Sequence, residues 1–155
     1  MGPDLQKQEM QKRMSHVEEV LRKSGLKMTH QRLEILREVF QADNHPDAET
    51  VLRGVRERVP TVSLDTVYRT LWLLLDHGLI NALGPSRERV RFDANTQSHH
   101  HFVCRQCGMI CDFCSMELDG LRIPEAVRAL GLGEKIHVEV RGLCRDCLKD
   151  KDSDC

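Results

Sequence analysis

Residues 63–80, SLDTVYRTLWLLLDHGLI, decide how this chain folds. Ser63 suits the cap position before a helix, because its hydroxyl can accept a hydrogen bond from a free first-turn amide. The residues that follow, down to Gly78, contain no glycine or proline and are strongly apolar, as a helix packed on a core requires. Just upstream, AETVLRGVRER carries a second helical pattern, with Pro46 and Asp47 expected in its first turn. Just downstream the pattern switches to short strands: LINALGP and RVRFDA flank the turn-rich, charged GPSRER. Two helices joined by a short turn and followed by a hairpin give the order of a winged helix-turn-helix, with residues 79–92 as the wing.

Two more helices are expected ahead of this pair. HVEEVLRK, His16 to Lys23, places Val17, Val20 and Leu21 on one face, and Gly25 is a plausible stop. Thr29 suits an N-cap for HQRLEILREVFQ, where Leu33, Leu36 and Phe40 share a face with Ile35 and Val39 beside it. Trp72 and Leu71, Leu73, Leu74, Leu75 and Leu79 read as core. With only 4% aromatic residues in 155, that core must be built mainly from leucine, valine and isoleucine.

The net charge of −1 carries no global signal for nucleic acid. Residues 1–91 hold 15 Lys+Arg against 13 Asp+Glu (+2), and residues 92–155 hold 8 against 11 (−3), so any DNA contact must be local. No apolar run approaches the roughly 18–20 residues of a membrane span, and the N-terminus is too polar for a signal peptide. A cytoplasmic protein is expected.

From Asp93 onward histidine and cysteine dominate. HHFVC, MICDF and IHVEVRGLC are strand candidates, with PEAVRALGL as one helix between them. The whole chain therefore reads as α+β. Residues 1–93 are a winged-helix domain with an N-terminal extension, 94–97 a hinge, and 98–155 a small α/β domain with a charged tail.

Four of the seven cysteines form two Cys-x-x-Cys pairs, Cys104 with Cys107 and Cys144 with Cys147. Each pair can supply two thiolates from a tight turn, and four thiolates suit a closed, tetrahedral, structural zinc site. A redox dithiol pair or an iron–sulfur cluster are the other readings of this spacing. Cys111 and Cys114 make a third Cys-x-x-Cys, read either as a redox switch or as one buried small hydrophobe beside an incidental neighbour. Cys155 ends a charged tail and has no evident role.

SHHHFVCRQCG, Ser98 to Gly108, holds a second constellation. In a strand alternate residues face the same way, so His99 and His101 point together and His100 points opposite. Asp93 lies nearby in sequence. A hairpin closed across the cysteine knuckle can bring Asp112 beside the histidine pair. Two imidazoles and two carboxylates suit iron(II), manganese(II) or zinc; surface histidines clustered without metal are the plainer reading.

KMTHQRLEILREVF, NHPDAETV, VSLDTVYRTLWLLLDHGLI, RFD, HHHFVCRQCG and CRDC, in order over residues 16–148, together resemble the ferric uptake regulator (Fur) family of bacterial metal-dependent repressors. The resemblance implies a DNA-binding N-terminal winged helix and a dimerising C-terminal domain. It implies structural zinc at Cys104, Cys107, Cys144 and Cys147. It also implies a regulatory metal, iron(II) or manganese(II), bridging the domains through His45, Asp93, His99, His101 and Asp112. Aspartate at 93 and 112 resembles the peroxide-sensing PerR branch, where iron-uptake regulators commonly carry glutamate. In that branch a peroxide oxidises a ligand histidine, here matching His45 or His99, and the DNA is released.

SLDTVYRTL, by contrast, is closer to Fur- and Zur-type recognition helices, so iron-uptake regulation is the alternative. No cysteine stands where Zur proteins place a thiolate, against a zinc sensor. A third Fur-type site would draw on Ser98, His100, Asp119 and a histidine near position 136; serine is a poor ligand and His137 reads as out of register, so that site is not expected.

For DNA, the helix from about Leu64 is expected in the major groove, with Ser63 and Thr66 at its start and Tyr68 and Arg69 one turn on. Arg32 is expected near the phosphate backbone, and Arg87 or Arg89 in the adjacent minor groove. A homodimer would bind an inverted repeat in double-stranded DNA. The resemblance argues against an enzyme. A metallohydrolase or oxygenase would need a general base beside the site, which the sequence does not offer, and would leave the winged helix unexplained. A zinc-stapled interaction module would leave TVYRTL unexplained.

Overall fold

The structure, a computed structural model, describes residues 3–42, 44–84 and 90–152. Arg87, Arg89 and Cys155 lie outside the described residues. The chain forms two compact units that divide between Thr96 and Gln97.

The first unit runs α1 (Pro3–Lys23), α2 (His30–Gln41), α3 (Ala48–Arg56), α4 (Leu64–Asp76), β1 (Asn81–Leu83) and β2 (Arg91–Asp93). Three helices are started by side-chain caps. Thr29 accepts from the Arg32 amide, Asp47 from Thr50 and Ser63 from Thr66. Asp47 is thus the cap of α3 and Pro46 precedes it, so neither lies inside the first turn as expected. Gly25 and Gly78 close α1 and α4 with φ of +74° and +65°, which only glycine adopts freely. α1 starts at Pro3 rather than near His16. Its early turns are Gln, Lys, Glu and Met, which favour helix without an apolar face, so periodicity alone does not reveal them.

Val67, Thr70, Leu71 and Leu74 form the buried stripe of α4, at helical spacing. They meet Ile35, Leu36 and Val39 of α2, Val51 and Val55 of α3, and Val17 and Leu21 of α1 in one core. The β1–β2 hairpin closes this core with Phe92, whose ring meets Trp72 edge-on at 6.2 Å. Glu34 is buried in α2, where it pairs with Arg37 at 2.7 Å and Arg58 at 2.6 Å; Arg58 also reaches Glu38 at 2.6 Å. Arg58 follows α3, so this bridge fixes the turn that leads into α4.

The second unit runs β3 (His100–Cys104), β4 (Ile110–Phe113), α5 (Met116–Asp119), α6 (Glu125–Arg128), β5 (Glu139–Gly142) and α7 (Arg145–Asp152). Its sheet has the order β4-β3-β5, with β4 antiparallel and β5 parallel to β3. The helix expected over PEAVRALGL is only the single turn α6. α7 has no apolar periodicity to announce it. The buried hydrophobic cluster of this unit is Cys104, Cys144 and Cys147, with Phe102 and Leu143 packed against it. Leu130 and Leu132, by contrast, are 88% and 90% exposed.

Removing Arg58 leaves Glu34 buried with a single partner. Arg58→Ala is expected to lower the stability of the first unit by about 1–3 kcal/mol, read as a lower denaturant midpoint with an unchanged slope. An unchanged midpoint would show that the bridge is ornamental.

Candidate metal centres

Cys104 ends β3, Cys107 sits in the knuckle that follows, Cys144 immediately precedes α7 and Cys147 lies in its first turn. Gly108, at φ +73°, permits the knuckle to turn, and the Gly108 amide donates to the Cys104 carbonyl at 2.9 Å. The four sulfurs all lie within 4.8 Å of one another. Two sulfurs bound to one tetrahedral zinc at ~2.3 Å are about 3.8 Å apart, and Cys107 Sγ and Cys144 Sγ are 3.8 Å apart. Amides of Cys107 and Cys144 directed at Cys104 lower its pKa to about 6, whereas its contact with Cys144, together with burial, raises that of Cys147. Thiols this close cannot all ionise unless a cation is shared among them, so the donor set fits a divalent metal.

Cys111 and Cys114 are both exposed, so neither is the buried hydrophobe expected. Cys111 lies in β4 and Cys114 directly after it.

A second donor cluster stands on the same sheet. The β3–β4 register sets His101 opposite Asp112. His99 Nε2 is 2.9 Å from His101 Nε2, and Asp112 Oδ1 is 3.2 Å from His101 Nε2 and 3.9 Å from His99 Nε2. Ligand atoms about 2.1 Å from one cation are separated by roughly 3–3.5 Å, so two imidazoles and a carboxylate converge at coordination spacing. Both rings are buried, at 3% and 1% exposure. The distal nitrogens are engaged as well: His99 Nδ1 meets the Gln97 carbonyl at 2.9 Å, and His101 Nδ1 meets His137 Nε2 at 2.8 Å. His137 was not expected here. Partial burial first, then neighbouring His99, holds its pKa below the ordinary histidine value.

His100 turns the other way. Its Nε2 is 3.3 Å from Asp119 Oδ1, which also accepts from Ser98 Oγ at 3.0 Å. Ser98, His100 and Asp119 therefore meet, at positions of the further Fur-type site that was not expected because serine is a poor ligand and His137 reads as out of register.

Within the first unit, His45 and Asp93 are 7% and 4% exposed, and His45 Nε2 lies 3.8 Å from Asp93 Oδ1. Strand β2 fixes the loop that carries His45: Arg91 donates to the His45 carbonyl at 3.1 Å, and the Phe92 amide to Pro46 at 2.9 Å. Asp93 Oδ1 also accepts from the Asn95 amide at 2.7 Å. This unit thus presents a second, smaller pair of ligand atoms.

On α4, Ser63 and Arg69 are exposed and Thr66 and Tyr68 half-buried. The hydroxyls of Ser63 and Thr66 contact each other at 2.9 Å, and Arg69 pairs with Asp65 at 2.9 Å. Arg32 donates to the Lys27 carbonyl at 2.6 Å.

Comparison with known proteins agrees with these features. A family model described as the ferric uptake regulator family matches residues 23–132. The chain is 30% identical over 132 residues to the peroxide-responsive repressor PerR of Staphylococcus epidermidis, covering 84% of this chain and 87% of that protein. Among solved structures, the Helicobacter pylori ferric uptake regulator Fur, described with three functional metal binding sites, has a TM-score of 0.74 at 24% identity, covering 90% of this chain and 93% of that one. The ferric uptake regulator of Pseudomonas aeruginosa with manganese has a TM-score of 0.64 at 30% identity, covering 81% and 95%.

Because the thiol cluster replaces an apolar core, exhaustive chelation or Cys147→Ser is expected to unfold the second unit. A structural zinc contributes on the order of 10 kcal/mol of folding free energy. Metal content and far-ultraviolet circular dichroism should fall together; a metal-free chain that kept its sheet signal would contradict this.

Proposed function

The chain belongs to the ferric uptake regulator family, and from that premise we propose that it is a peroxide-responsive repressor gated by a metal held jointly by both units. Membership makes it a metal-dependent transcriptional repressor. The observation that carries the finer reading is the pair of incomplete donor sets. His99, His101 and Asp112 converge in the second unit, and His45 with Asp93 stands in the first. Neither set fills a coordination sphere, and the two together offer five ligands of the type that suits iron(II) or manganese(II). Residues 94–97 are the hinge across which they close. The four cysteines hold a separate, structural zinc.

Aspartate at both 93 and 112 supports the peroxide-responsive branch. When bound, iron(II) supplies the redox chemistry by which a peroxide oxidises a ligand histidine. The chain contributes the rest: buried imidazoles, a carboxylate across the strand, and a hinge that loses its fastening once His45 or His99 no longer ligates. Metal binding and DNA binding are then two readings of one closed arrangement.

DNA is met by α4. Its Ser63 cap, Thr66, Tyr68 and exposed Arg69 face the major groove, and Arg32 reaches a phosphate. The exposed Leu130 and Leu132 support homodimerisation of the second unit, which would present two recognition helices to an inverted repeat. Among the described residues no helix is long and apolar enough to cross a membrane; a cytoplasmic site, where thiols stay reduced, agrees with metal thiolates.

Operator binding by iron- and manganese-loaded protein, before and after peroxide, tests the reading. The iron form is expected to lose DNA affinity and gain one oxygen atom at His45 or His99, located by peptide mass spectrometry, while the manganese form keeps both. If the iron form retained its affinity and unmodified histidines, iron-uptake regulation, favoured by the SLDTVYRTL helix, would be the better account.

A further inference from the structure

His137 belongs to no motif, stands in the segment ahead of β5, and is exposed to solvent on its outer side. Its Nε2 nevertheless lies 2.8 Å from His101 Nδ1, with the two ring centroids 4.7 Å apart. The opposite nitrogen of His101, Nε2, is the one that faces His99 and Asp112. An imidazole that ligates through Nε2 carries its proton on Nδ1, and that proton needs an acceptor. For His99 the acceptor is a backbone carbonyl, that of Gln97, which no side-chain substitution removes. For His101 it is a side chain.

We propose that His137 is a positioning residue for the regulatory metal: by accepting the His101 Nδ1–H it fixes the tautomer and the ring plane that turn Nε2 onto the cation. The inference rests on the reading of His99, His101 and Asp112 as ligands and adds to it the residue that aims one of them. It also separates the two histidines: His99 Nδ1 meets a main-chain carbonyl, whereas His101 Nδ1 meets a side chain 36 positions away. His100 turns its Nε2 toward Asp119 at 3.3 Å, with its ring centroid 6.4 Å from that of His137.

The test uses the full-length, zinc-loaded chain and its His137→Ala, His137→Gln and His101→Ala variants. Manganese(II) affinity is measured by competition with a chromophoric chelator, and cobalt(II) absorption is used to report the coordination sphere. His137→Ala is expected to weaken manganese binding about 10–100-fold, with the intensity of the cobalt bands and the zinc content unchanged. Glutamine, whose side-chain oxygen can accept the same proton, should restore most of the affinity. Unchanged affinity in His137→Ala overturns the proposal. So does a loss of one bound ion per chain with the remaining affinity intact, because His137 would then be a ligand of a different site. If His101→Ala itself left manganese binding untouched, the failure would lie with the regulatory-metal reading.

Discussion

Four thiols within 4.8 Å of one another hold the second unit together, because little else does. Its buried cluster is made of cysteines, and two of its leucines are almost fully in water. A metal that joins the end of β3 to the start of α7 sets where the β3–β4 hairpin turns and where β5 must end. The hairpin register follows from that turn, and the register puts Asp112 opposite His101. In the proposed function one metal thus builds the frame in which a second is sensed. This division suits the chemistry: a site saturated with sulfur is inert and strong, while a site of imidazole and carboxylate exchanges its ion and answers to concentration or oxidation.

The first unit follows the opposite plan. It has an aliphatic core drawn from four helices and a hairpin. His45 and Asp93 are placed by strand β2. Arg91 and Phe92 hold the His45 loop against β2, and Asp93 ends the same strand.

Much of this was legible in the sequence where a local physical rule applied. Thr29 and Ser63 mark helix starts by their capping chemistry, and the stripe at 67, 70, 71 and 74 marks the buried face of α4. The two Cys-x-x-Cys pairs announce a shared centre, and strand alternation puts His99 and His101 on one side of β3. What local rules do not reach stayed hidden. The first turns of α1 are polar and carry no periodic signal. α6 is a single turn, since most of PEAVRALGL has no core to pack on. The contact of His137 with His101, and that of Ser98 with Asp119, depend on how distant segments return to β3, and no spacing rule encodes that return.

The central claim is that both units share one regulatory metal whose binding is linked to DNA binding. The most direct measurement is the manganese(II) affinity of the full chain with and without saturating operator DNA, in the native protein and in His45→Ala. Because coupling free energies are reciprocal, operator should tighten manganese binding by the same factor by which manganese tightens operator binding, on the order of 5–150-fold. His45→Ala should retain weak manganese binding at His99, His101 and Asp112 but lose the coupling. Equal manganese affinity with and without DNA in the native chain would contradict the account.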